Sequence, residues 1–285
     1  MKSITIPIMP LGPGSQVEEE VLEYINMPKE MYTYAPPILP EPEDVANLTA
    51  AHDALRSIVT ALQVANAGGR PAPVSMLNLD RDNLHLVNQV LGEGEVSARV
   101  LGETELKVQE SVFAGVWRVI ETLGEQIVSD HIEIGAIPMR LLDRARAIAA
   151  PIRRIAIPEQ FPPGVMNASA LLTELNDQIG SWKHGMLPHV INLTLLPLSQ
   201  EDVVFLDQSI GLGNVVILSR GYGNCRVSST QIPNCWRVTY YNSQDAIILN
   251  TIEIVDIPDV ACAAKEDLED SLERLEEVLQ WVVTQ

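Results

Sequence analysis

Leu91-Gly92-Glu93-Gly94-Glu95-Val96, followed by Trp117-Arg118-Val119, returns later as Ile210-Gly211-Leu212-Gly213-Asn214-Val215, followed by Trp236-Arg237-Val238. The two glycines, the valine and the Trp-Arg-Val triplet recur at one constant offset of 119 residues. Leu77 and Leu196, Leu79 and Leu198, Gln89 and Gln208, and Gly102 and Gly221 keep the same offset. Beyond the triplet the offset becomes 120, matching Ile132-Glu133-Ile134 to Ile252-Glu253-Ile254 and Ile137-Pro138 to Ile257-Pro258. A hairpin loop longer by one residue in the second copy gives such a change. About ten identities fall in about forty positions, where ordinary residue usage gives two or three. The pattern is that of a duplicated unit of about 120 residues.

Working outward from the glycines, each copy reads as helix, strand, helix, about four strands, helix. In the first copy the helices are expected over 42–64, 81–90 and 140–149, with strands over 74–79, 95–100, 106–112, 113–121 and 126–134. In the second, helices fall over 168–179, 199–209 and 266–282, with strands over 190–195, 214–219, 226–231, 235–241 and 246–254. The last helix is the plainest: Leu268, Leu272, Leu275, Leu279 and Val282 form one stripe, with six acids off it. Asp80 and Ser199 stand at equivalent places as N-caps. Runs of adjacent strands imply antiparallel pairing and the α+β class. The expected fold is two tandem repeats of a largely antiparallel sheet covered by helices. A proline-punctuated arm occupies 1–40, with one short helix at 18–24. The first repeat is 41–150 and the second 151–285. A groove is expected between the two repeats.

The 285 residues carry a formal net charge of -19. Binding to a nucleic-acid backbone needs clustered Lys and Arg, so that class is excluded. An acidic surface favours a basic partner instead. The opening apolar run is broken by Pro7, Pro10 and Pro13, unlike a signal peptide. No stretch reaches the roughly 20 apolar residues of a membrane span, so membrane insertion is not expected. Cys225, Cys235 and Cys262 are odd in number and widely spaced, which suits a reducing compartment and a cytoplasmic location. No CxxC, HxxxH or GxSxG is present. No metal, cofactor or catalytic residue is assigned.

The Gly92/Gly94 pair does not suit a phosphate. Phosphate loops lead from a strand through glycines into a helix N-terminus, whereas here a helix ends and a strand begins. Glu93 and Glu95 add repulsion. The pair reads as a helix C-cap and tight turn, with a binding loop as the other reading. Trp117 and Trp236 sit mid-strand, as core residues or as partner-facing aromatics. Arg118 and Arg237 point to the opposite face and are expected to pair with Glu133 and Glu253. Leu11-Gly12-Pro13-Gly14 forms a turn that can present its backbone to a bound peptide. The candidate partner-binding set is therefore Leu11, Gly12, Pro13, Gly14, Gly92, Glu93, Gly94, Trp117, Gly211, Gly213 and Trp236.

Several of these stretches, with Ile191-Asn192-Leu193-Thr194-Leu195-Leu196-Pro197, Gly221-Tyr222-Gly223 and Ile257-Pro258-Asp259-Val260, resemble the HupH/HyaF family of hydrogenase expression/formation proteins. The resemblance covers nearly the whole chain. It implies a non-enzymatic cytoplasmic accessory protein in the maturation of an uptake [NiFe] hydrogenase. The implied partner is the iron–sulfur small-subunit precursor, bound before export, together with other maturation proteins. That precursor carries a twin-arginine signal peptide, whose positive end suits an acidic chaperone. The resemblance implies no catalytic residue and no cofactor. The alternative is an iron–sulfur or metal carrier in the same pathway, using the three cysteines.

Overall fold

The computed structural model describes residues 40–148, 154–221 and 223–283. The arm, apart from Pro40, and the helix expected at 18–24 lie outside the described residues. In chain order the elements are α1 (Pro42–Val45), α2 (Thr49–Asn66), β1 (Val74–Ser75), α3 (Arg81–Leu91), β2 (Val96–Val100), β3 (Glu105–Glu110), β4 (Val116–Leu123), β5 (Gln126–Ile134), α4 (Met139–Ile148), α5 (Ala168–Ser181), β6 (His189–Asn192), α6 (Gln200–Ile210), β7 (Leu212–Ser219), β8 (Asn224–Thr230), β9 (Cys235–Tyr241), β10 (Ile247–Ile254) and α7 (Lys265–Val283). The class is α+β.

The strands join into a single ten-stranded sheet in the order β1-β5-β4-β3-β2-β7-β8-β9-β10-β6, antiparallel at every described pairing. The join is β2 to β7, with Ala98 opposite Ile217. Each of these would otherwise be an unpaired edge open to foreign strands, and pairing them removes both edges at once. The sheet is thus continuous across the middle of the chain, where two packed sheets were expected.

Alternation along the strands separates two faces. Trp117 and Val119 share one face with Ala98, Val108, Ile217, Val227, Trp236 and Val238, and these form a single core across the β2–β7 join. The opposite face carries two separate cores. One joins α2 and α3 to Val116 and Ile132, and the other joins α5 and α6 to Cys235, Ile252 and Ile254.

The closing helices do not stay with their own halves. Leu141 of α4 enters the shared core, and α4 lies over β2 and β7. Leu268 at the start of α7 enters the same core, while Leu275 and Val282 further along complete the core under α2. The helix therefore runs from the join back to the first half and lies beside α2. Gln63 donates to Glu276 at 2.9 Å and Asn66 to the Leu268 carbonyl at 3.3 Å. Burying Leu275 completely is worth roughly 1.5–3 kcal/mol. The acids Glu266, Glu269, Asp270, Glu273, Glu276 and Glu277 all face solvent.

Several boundaries differ from expectation for local reasons. The helix expected over 42–64 is broken at 46–48, where Leu48 leaves helical geometry with ψ 58°. The strand expected from 113 starts at Val116, because a turn bonds the Val116 amide to the Phe113 carbonyl and Gly115 takes φ +78°. The strand expected over 190–195 stops at Asn192, whose side chain accepts from the amides of Thr194 and Leu195 and caps a 3-10 turn. The pairing of Arg118 with Glu133 is corrected. Register sets Glu133 opposite Trp117, on the other face from Arg118, and Arg118 binds Asp130 at 2.7 Å. Glu253 likewise sits opposite Trp236, and Arg237 binds Asp207 of α6 at 2.8 Å.

Equivalent residues latch the helices. Asn83 and Asp202, 119 residues apart, each reach from α3 or α6 to the start of the preceding helix. Asn83 accepts from the Ala51 amide at 2.8 Å. Asp202 accepts from the amides of Met166, Asn167 and Ala168, supplying the N-cap that Asn167 does not provide. Burial would raise the Asp202 carboxyl, but these amides and that of Ser199 hold it down at about 2.

Candidate partner-binding site

The glycine turns are packing devices with one exposed residue each. Gly92 and Gly211 end α3 and α6 with φ +56° and +63°, the left-handed geometry that suits a helix C-cap. Gly94 lies so close to the next turn that a Cβ would stand 2.2 Å from the Ser111 carbonyl oxygen. A Cβ on Gly213 would meet the Ser229 hydroxyl at the same distance. Between the glycines, Glu93 and Leu212 point to solvent. Trp117 and Trp236 are 0% and 3% exposed and present no outer surface. Their indoles donate to the Gly135 carbonyl at 2.8 Å and the Val255 carbonyl at 3.2 Å. The stretch Leu11-Gly12-Pro13-Gly14 lies outside the described residues. The candidates do not converge on one site.

Trp236 does lead to a site. It lines a cavity of about 360 Å³ between α4 and the β8–β9 turn. Leu142, Ala145 and Arg146 supply one wall from α4, and Ile232, Pro233, Asn234 and Cys235 supply another. Trp182 and His184, in the loop after α5, close the third side with Asp256. The loop then presents Met186 and Leu187 to solvent, 48% and 91% exposed. An apolar pair beside a cavity is the kind of surface that marks a contact site.

The rim is held by Asp256. His184 Nδ1 lies 2.6 Å from its carboxylate, the Gly185 amide donates to it at 3.2 Å, and Arg146 reaches it at 3.4 Å. Arg146 belongs to α4, so this ion pair ties the first half to the second. At the base of α4, Arg140 and Arg144 both bind the buried Glu121, and Arg144 also binds Thr104. Burial alone would raise the Glu121 carboxyl. The Thr104 and Arg140 hydrogen bonds and the two positive charges outweigh it and bring it to about 2.

The thiols are poorly set for metal. Burial pushes Cys225 and Cys262 up to about 12 and Cys235 up to about 11. A metal ligand is the thiolate, which these surroundings disfavour. No group of three or more His, Cys, Asp or Glu with metal-binding geometry occurs among the described residues. Among them, too, no helix is long and apolar enough to cross a membrane.

Sequence reasoning missed the cavity because it is assembled from four separate stretches. One signal was legible: Asn234 follows Ile232-Pro233 and takes φ +57°, a conformation few residues besides Gly, Asn and Asp adopt.

Fold and site together define an α+β protein with a concave, partly apolar seat and no assembled catalytic group among the described residues. The family model for the C-terminal conserved region of the HupH hydrogenase expression protein matches residues 48–158 and again 165–282. The chain belongs to this family of hydrogenase expression/formation proteins. It is 53% identical to the hydrogenase expression/formation protein HoxQ of Cupriavidus necator over 99% of both chains. It is 45% identical to HupH of Rhodobacter capsulatus, over 97% of this chain and 98% of that one. A solved structure, the hydrogenase expression protein HupH from Thiobacillus denitrificans, is 25% identical with TM-score 0.34, covering 40% of this chain and 93% of its own.

Proposed function

We propose that the chain is a non-enzymatic chaperone in the maturation of an uptake [NiFe] hydrogenase. It acts in the cytoplasm on the iron–sulfur small-subunit precursor before export, alone or with other maturation proteins. The observation that carries this is the cavity walled by both halves, with Met186 and Leu187 exposed beside it, on a chain of a hydrogenase-expression family. An accessory protein of this kind needs a surface that grips an incompletely assembled polypeptide. The net charge of -19 supplies a second attraction, toward the positive end of a twin-arginine signal peptide.

We also infer that 41–150 and 151–285 are copies of one ancestral unit. The constant offset, the shared order of elements and the two matches to one family model support this. The join at β2–β7 and the crossing of α7 make the copies one folding body.

The experiment is capture of purified small-subunit precursor, with and without its signal peptide, at low and high salt. Micromolar capture that weakens with salt and with loss of the signal peptide is expected. No capture of either form at low salt would sink the proposal. A chain lacking residues 1–15 reads the contribution of Leu11-Gly12-Pro13-Gly14 in the same assay.

A further inference from the structure

The two halves treat equivalent seats differently. In the first half the turn from Glu110 to Trp117 is covered by α7. Leu268 presses on Gly115, where a Cβ would lie 2.6 Å from its Cδ1, and Arg274 stacks over Phe113 at 5.4 Å. In the second half the equivalent turn runs from Ser229 to Trp236. There Asn234 replaces Gly115, Ile232 replaces Phe113, and the seat stays open as the cavity of about 360 Å³. That volume falls within the range of about 300–1,000 Å³ usual for ligand sites.

The open seat also holds an unused donor. Trp182 lines it, and the Trp182 indole N–H is buried with no acceptor among the described residues. A buried N–H without an acceptor is costly, so the seat favours a guest that brings one. Around that donor the walls are Leu142, Ala145 and Trp236, which favour an apolar body. A polypeptide offers both: an aliphatic side chain to fill the cavity and a main-chain carbonyl to take the N–H.

We propose that this cavity is a docking seat for an aliphatic, leucine-type side chain of a client polypeptide, with a client carbonyl accepting from Trp182. The seat takes from outside what its first-half counterpart takes from Leu268. The client's identity rests on the chaperone function proposed above, whereas the chemistry of the seat does not.

The test uses the full chain labelled with 15N and a blocked peptide, acetyl-Ala-Leu-Leu-Ala-amide, with its Ser-Ser counterpart as control. Trp182→Phe assigns the indole resonance. At about 1 mM the leucine peptide should move the Trp182 indole signal, leave that of the exposed Trp281 in place, and outdo the serine peptide by about tenfold in affinity. Ala145→Trp, which fills the cavity from α4, should abolish the shift. Trp182→Phe, which removes only the donor, should weaken binding about two- to tenfold, read from backbone amides of the β8–β9 turn. An unmoved Trp182 signal, equal response to both peptides, or an unchanged response in Ala145→Trp overturns the seat. Self-association abolished by Ala145→Trp assigns the cavity to a second copy and equally overturns it. With the small-subunit precursor as probe, equal capture by wild type and Ala145→Trp sinks the seat and spares the chaperone function. A precursor that fails to bind while the leucine peptide succeeds does the reverse.

Discussion

Leu268 of the last helix rests on Gly115, in the turn between β3 and β4, with no room for a side chain between them. Two residues 153 positions apart in the sequence thereby fix the path of α7 from the sheet join back onto the first half. Gly115 has φ +78°, and its amide donates to the buried Glu110 carboxylate at 3.2 Å. Gly115→Ala meets both backbone strain and the Leu268 side chain. It should cost about 2–4 kcal/mol, read from the urea midpoint. Gly124, with φ +59° but open space around its Cβ position, is the matched control, and Ala there should cost about 1 kcal/mol.

Leu275→Ala should lower stability by about 2–5 kcal/mol, since the side chain is fully buried. The location of the effect is more telling than its size. Amide exchange should quicken in α2, which packs on α7, before it quickens in α5. Equal loosening of α5 would mean that α7 stabilises its own half.

Glu110 predicts a pH dependence. Burial pushes its carboxyl from 4.5 up to about 7, assisted by Glu95 and Asp267 and opposed by the Gly115 and Val96 amides. The folded state thus holds a proton more tightly than the unfolded chain does. The stability from this group is full below about pH 4.5 and is lost as pH rises through about 7. Glu110→Gln keeps an acceptor and removes the ionisation. It should gain on the order of 2 kcal/mol over wild type at pH 8 and little at pH 4. Thermal unfolding across that range reads it.

Glu121 runs the other way. Its contribution is present above its ordinary 4.5 and lost as pH falls through about 2. Glu121→Ala strands Arg144, which is one-quarter exposed, and frees the base of α4. A loss of about 1–3 kcal/mol is expected. Because α4 forms one wall of the cavity, client capture should weaken as well; capture at wild-type strength would show that α4 is held by other contacts.

Much of the fold was legible because periodicity and turn chemistry act locally. The leucine stripe of α7, the caps Asp80 and Ser199, and the glycines ending α3 and α6 are each decided within a few residues. What stayed hidden depends on distant partners. Nothing local to Leu275 says that it packs under α2 instead of α5. The Arg118 pairing failed because register, not spacing along the chain, sets which acid shares its face. Asp202 looked like a first-turn acid near Ser199, yet it also caps a helix more than thirty residues earlier. Of the candidate site, Trp236 reaches the cavity, whereas Trp182, His184 and Asp256 carry no motif at all.

The most direct measurement is hydrogen–deuterium exchange on the full chain, alone and with saturating small-subunit precursor. Protection concentrated in 182–187, in the β8–β9 turn at 231–234 and in α4 is the predicted result. Protection confined to other surfaces, or none under conditions where the complex persists, would contradict the account.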